Sequence, residues 1–314
     1  MARTRARRFR FSVLTRAWRR RVCETPKLCH RFDHAVGGLI DLVRRKHDLV
    51  PDYASSWWDA VRKRSLLDGI ETFCFFIGYP RSGHSLVGQL LNAHPNTVIS
   101  HELNVLRYLK PGFAREQIYA LILDRDRWFA DRGREWTGYS YDVEGAWQGT
   151  WTDLEVIGDK EGAATSNWLA QDEDKLELLR ERVEDPIRAL HVTRNPFDNI
   201  TTMARVGDIS LASATRLYFR LADTCAWARE QMDEEEYLDV RHEDLIQHTA
   251  RELSNMASFL GVEAPSEWLE PCAELVYDEP NRRREEVEWD AEVVEEIEQR
   301  LDRYPFLADY GFQA

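Results

Sequence analysis

The stretch Phe73 to Glu102, FCFFIGYPRSGHSLVGQLLNAHPNTVISHE, most constrains what this chain can fold into. Phe73 to Tyr79 is a continuous apolar run, of the kind found in a strand covered on both faces. A glycine turn then opens a helix over Gly83 to Ala93, which His94-Pro95 ends. The first turn of such a helix carries unpaired backbone N–H groups and the positive end of the helix dipole, so an anion sits there naturally. The spacing Gly78-x4-Gly83 followed by His84-Ser85 nearly spells the nucleotide loop GxxxxGK[ST], with His84 in place of the lysine. With Arg81 inside the loop, the site suits a phosphate-type anion other than the tail of ATP.

The remaining pattern repeats strand and helix. Residues 24 to 70 read as a helical lead-in, and further strands are expected at Thr97 to Ser100, Leu154 to Gly158, Ile187 to Thr193 and Tyr237 to Arg241. Helical segments such as DKLELLRERV and SLASATRLYFRLADTCAWAREQM separate them. This alternation predicts an α/β fold of three αβα layers around a central, mainly parallel sheet, with ligands outside the carboxyl ends of the strands. With no internal repeat and no Gly/Ser linker, residues 23–314 are expected to form a single domain behind a basic tail, residues 1–22.

The formal charge is −13, yet residues 1–22 hold nine arginines and no acid, so the body is more acidic still. Such a body repels nucleic acid, and anion binding must come from local clusters of arginine and lysine. The basic tail carries Phe9, Phe11, Leu14 and Trp18, which would allow peripheral contact with an anionic membrane; a frayed tail is the alternative. The five cysteines form no CxxC pair, and no run approaches the length of a membrane span, so a cytoplasmic location is expected.

Four clusters follow four expected strands: PRSGHS at 80–85, Glu102, GDK ending at Lys160, and TRNPFDNITT at 193–202. Together they resemble the sulfotransferases that use 3′-phosphoadenosine 5′-phosphosulfate (PAPS), from about Phe73 to the C-terminus. The family's 5′-phosphosulfate loop reads PRSGTT or PKSGTT, and its 3′-phosphate element reads RNPxDxxxS. The resemblance puts the loop cation on Arg81 and the two loop hydroxyls on His84 and Ser85, of which only Ser85 keeps a hydroxyl. The 3′-phosphate pair falls on Arg194 and, eight residues later, Thr202. His242 takes the place of a tyrosine that touches adenine, and NRRREEVEW is similar to the basic loop that closes over the nucleotide, with Arg282 and Arg283 as its ligands.

The implied chemistry agrees with these residue types. Arg194 offers a planar fork to a phosphate dianion while Thr202 donates a hydroxyl. Backbone N–H groups from Ser82 through Gly83 and His84 to Ser85 would cradle the 5′ group, and Arg81 and Lys160 would stabilise charge growing on it in the transition state. No metal is called for, because the phosphosulfate anhydride already carries a good leaving group. The acceptor's proton needs a base, and His101 and Glu102 compete. Glu102 lies 21 residues after Arg81, the spacing of the catalytic glutamate in the protein-tyrosine branch of the family, whereas the KxHxP signature of the histidine-using cytosolic branch is absent. Adjacent side chains at a strand end diverge, so one of the two faces the site, and Glu102 is preferred. Asp198 is read as a brace for the helix that starts at Pro196.

Residues 103–153 hold Trp128, Trp136, Tyr139, Tyr141, Trp147 and Trp151, an aromatic insertion suited to the acceptor side and to a small or neutral, glycan- or lipid-like acceptor. Two other functions compete: a degenerate nucleotide-loop kinase, for which Asp159 is the one candidate magnesium ligand, and a nucleotide binder that has lost catalysis.

Overall fold

The computed structural model describes residues 49–276 and 279–313. The basic tail and the start of the predicted helical lead-in, with Cys23 and Cys29, lie outside the described residues.

Five strands form an all-parallel sheet: β1 (Thr72–Gly78), β2 (Thr97–His101), β5 (Val156–Lys160), β6 (Ile187–Thr193) and β7 (Tyr237–Arg241). Their spatial order is β2-β5-β1-β6-β7, with β1 in the centre. A separate antiparallel hairpin, β3 (Glu135–Trp136) and β4 (Tyr139–Ser140), lies between β2 and β5 in the chain.

Two apolar cores explain the layering. Phe73, Phe75 and Ile77 of β1 face one core, with Ile157 and Ala189 from its neighbours and Tyr218, Phe219 and Ala222 from the helix Leu211–Glu230. Cys74 and Phe76 face the other, with Ile99, Leu190 and Val192, against Val87, Leu90 and Leu91 from the helix His84–Asn92 and Leu253, Met256 and Leu260 from the helix Thr249–Leu260. A strand alternates its side chains between faces, so only helices on both sides can bury every residue of β1.

The predicted β5 is displaced by two residues. Asp159 and Lys160, expected to follow the strand, are its last residues, paired with Ser100 and His101 of β2. Buried polar partners keep this end in the sheet. Ser100 Oγ donates to Asp159 Oδ1 at 2.8 Å, and the N–H groups of Leu103 and Val105 donate to the same carboxylate at 3.0 and 3.1 Å.

Candidate functional site

The anion loop begins where β1 ends. Ser166 Oγ donates to the carbonyl of Gly78 and accepts from its N–H, both at 2.9 Å, fixing the point at which the chain leaves the sheet. Arg81 takes a left-handed backbone with φ 68°, and Gly83, with φ 103°, caps the helix His84–Asn92 without a side-chain hydrogen bond. The N–H groups of the first turn are therefore left for a ligand. Glycine is obligatory at 83, because a Cβ there would lie 2.4 Å from Nδ1 of His242. The His242 ring thus packs against the loop itself, and its buried Nδ1 has no hydrogen-bond partner.

His84 turns away from the anion side. Its Nε2 lies 3.1 Å from the carbonyl of Ile77 and its Nδ1 3.0 Å from Ser82 Oγ. A carbonyl only accepts, so Nε2 carries the proton and Nδ1 accepts from the serine. The ring is a rivet beneath the loop, which leaves His84 only its backbone N–H to offer an anion; the Ser82 hydroxyl is likewise turned inward, towards the ring and the carbonyl of Tyr79.

Lys160 joins three strand ends. Its Nζ donates to Glu102 Oε1 at 2.8 Å and to Ser85 Oγ at 3.1 Å, tying the loop helix to the end of β2. The side chain is 3% exposed and reaches the loop by crossing the helix at Gly88, where a Cβ would meet Lys160 Cγ at 2.8 Å. Burial lowers the Lys160 pKa, and the Glu102 carboxylate works against that. Gly88 was not singled out from the sequence; its only signal is a glycine inside an otherwise good helix. Glu102 sits just past β2 in a left-handed backbone, φ 56°, with its N–H donating to the carbonyl of Lys160 at 3.1 Å. Left-handed non-glycine residues cost about 1–2 kcal/mol each, and here two of them, Arg81 and Glu102, flank one site.

The His101 ring lies beside Glu102, its Nε2 3.9 Å from Glu102 Oε1. This ring is fully buried, stacked on Phe129 at 4.1 Å and edge-on to Trp136 at 4.9 Å, and neither ring nitrogen has a hydrogen-bond partner. Burial drives its pKa down to about 2 and those of His84 and His242 to about 3. A folded-state value below the ordinary 6.5 means that the unfolded chain binds protons first as the pH falls, so the stability these three contribute is full above about pH 6.5 and drains away towards pH 3. The melting temperature should fall steadily between pH 6.5 and 4. In His101→Phe, which keeps the stacked ring, that fall should be shallower by roughly 1 kcal/mol per pH unit. Equal slopes would show that His101 charges without cost.

The second candidate cluster lies at the end of the strand next to β1. Arg194 follows β6, and its guanidinium donates to two backbone carbonyls, Asn281 at 2.7 Å and Arg81 at 3.4 Å, while its buried Nε has no partner. Arg194 therefore stands between the loop and the basic segment. Thr202 Oγ1 donates to the carbonyl of Asp198 one helical turn back, at 2.7 Å, so its proton is committed to its own helix.

The basic segment turns its three arginines in different directions. Arg282 is exposed and pairs with Glu285, and Arg283 pairs with Glu286. Arg284, outside the predicted ligand set, is the buried one, bonded to Asp198 Oδ2 at 2.6 Å while its N–H reaches Asp198 Oδ1 at 2.7 Å. Asp198 thus braces the segment carrying Asn281 against the helix Pro196–Gly207. The segment forms a single 3-10 turn, Arg283–Glu286, which separates the directions of adjacent arginines.

No family model matches the chain, and no curated protein does. Among solved structures it is similar to the sulfotransferase domain of a Synechococcus olefin synthase, at 18% identity over 72% of this chain and 83% of that one, with a TM-score of 0.44. It is also similar to a sulfotransferase of Mycobacterium avium, at 13% identity over 90% and 86%, TM-score 0.46, and to a mouse sulfotransferase complexed with PAP, at 13% identity over 67% of each chain, TM-score 0.37.

Proposed function

We propose that the protein transfers a sulfuryl group from PAPS to a hydroxyl or amine of a small or neutral acceptor. One observation carries the reading: a single buried cation, Lys160, is bonded both to Ser85 at the anion loop and to the carboxylate of Glu102. The carboxylate that offsets the buried lysine's charge thus stands at the loop, where it can also take a proton.

The residues fit a nucleotide with phosphates at both ends. Arg194 has an orphaned Nε and two neutral carbonyl partners, which a phosphate dianion would outcompete. Thr202 would join it by turning its hydroxyl outward. The loop N–H groups and Arg81 would hold the 5′ end. Glu102 would take the acceptor's proton as the acceptor oxygen or nitrogen bonds to sulfur and the bond from sulfur to the bridging oxygen breaks. Lys160 would neutralise the charge left on that oxygen, so 3′-phosphoadenosine 5′-phosphate (PAP) departs with the electron pair.

The kinase reading needs a carboxylate free for magnesium. Asp159 is fully buried and already accepts from Ser100 Oγ and two backbone N–H groups, which leaves it a structural residue. Among the described residues no helix is long and apolar enough to cross a membrane; peripheral membrane contact through the basic tail is a proposal about residues outside the described part.

The test is thermal. PAP at about a hundred times its dissociation constant should stabilise the fold by roughly 2.7 kcal/mol. Arg194→Ala should abolish that shift, since removing one partner of a desolvated charge pair costs about 2–5 kcal/mol. A rise in melting temperature with magnesium-ATP but not with PAP would overturn the reading.

A further inference from the structure

The hairpin β3–β4 is built as a rigid arm. Thr137 and Gly138 at its tip both have left-handed backbones, φ 51° and 84°, which is the tight two-residue turn that matches strand twist. Its base is a buried polar cluster. Arg134, 2% exposed, pairs with Asp126 at 2.9 Å and donates to Gln89 Oε1 at 3.1 Å, and Asn92 donates to the same aspartate at 2.8 Å. Gln148 holds the returning strand through the carbonyl of Tyr141 at 2.9 Å, and the Tyr141 N–H reaches the carbonyl of Arg134 at 3.2 Å. Gln89 and Asn92 belong to the helix that begins at the anion loop, so the arm and the loop share one support.

The arm reaches both ends of the site. The Tyr141 side chain lies beside Ser85 and in the field of Arg81, while the Tyr139 side chain lies beside Arg283. Ser85 Oγ is the atom on which Lys160 also converges. Burial raises the Tyr141 pKa, which keeps the phenol protonated and a hydrogen-bond donor at neutral pH.

We propose that the Tyr141 hydroxyl is a further ligand of the transferring sulfuryl group, held at Ser85 by the anchored hairpin and donating a hydrogen bond to a sulfuryl oxygen without giving up its proton. This rests on the sulfuryl-transfer reading of the same site. Tyr139, at the other end of the arm, serves the 3′-phosphate side through Arg283.

PAP and PAPS differ by the sulfuryl group alone, so their affinities separate the two roles without knowledge of the acceptor. By titration calorimetry, Tyr141→Phe should bind PAPS about tenfold more weakly than wild type and PAP unchanged, with the melting temperature of the free protein preserved. Tyr139→Phe should weaken both nucleotides equally. Equal losses for PAP and PAPS in Tyr141→Phe, or no loss for either, would overturn the proposal while leaving the parent reading intact. A wild-type protein that binds neither nucleotide would overturn the parent reading, and the proposal with it.

Discussion

Glu102→Gln is expected to cut sulfuryl transfer by roughly 10²–10⁴-fold, the usual contribution of a positioned general base. PAP should still raise its melting temperature, because the carboxylate touches Lys160 and not the Arg194 grip. Glutamine keeps an oxygen to accept from Lys160 but has nowhere to put a proton. Turnover of labelled PAPS would be followed with a panel of alcohols, phenols, amines and sugars. The loss should shrink as the acceptor becomes more acidic, since a phenol already near ionisation needs less help. A uniform loss across acceptors of different acidity would mean that Glu102 acts only by holding Lys160, and full activity would move the base elsewhere.

Lys160→Met should be almost as damaging, by roughly 10²–10³-fold, the cost of removing one donor aimed at developing negative charge. The fold should tolerate it. Lys160 is buried and packs over Gly88, so an unbranched methionine chain can follow the lysine's path while relieving the desolvation that lowers the lysine's pKa. Glu102 is 32% exposed and stays in contact with solvent. A melting temperature at or above that of wild type together with lost turnover is the expected pair of results. A collapse in stability would instead mark Lys160 as a structural ion-pair partner.

Much of this site could be read from the chain. The apolar run into β1, the glycine turn and the helix after it are local features, and local rules suffice for them. The carboxyl end of β5 was not legible, because Asp159 and Lys160 are polar residues made tolerable in a strand by Ser100, Leu103, Val105 and Glu102, all distant in sequence. His84 was legible as a departure from the nucleotide loop, but its inward turn depends on the carbonyl of Ile77, which a motif does not display. The same holds for the arginine triplet: Asp198, far upstream, selects Arg284 for burial and leaves Arg282 and Arg283 outside. Of the neighbours His101 and Glu102, alternation predicts that one turns away, yet the His101 ring, stacked on Phe129, keeps its Nε2 3.9 Å from Glu102 Oε1.

The cluster of Arg134, Asp126, Asn92 and Gln148 at the foot of the hairpin makes the tip replaceable. Every charge there is already matched below the turn, so exchanging Thr137 and Gly138 alone, with Trp136 and Tyr139 kept, leaves the His101 contact and the strand ends that hold Lys160 and Glu102 in place. A lineage carrying this frame could therefore vary two tip codons while the stem is inherited intact, and a designer could follow the same route by grafting foreign two-residue turns onto it.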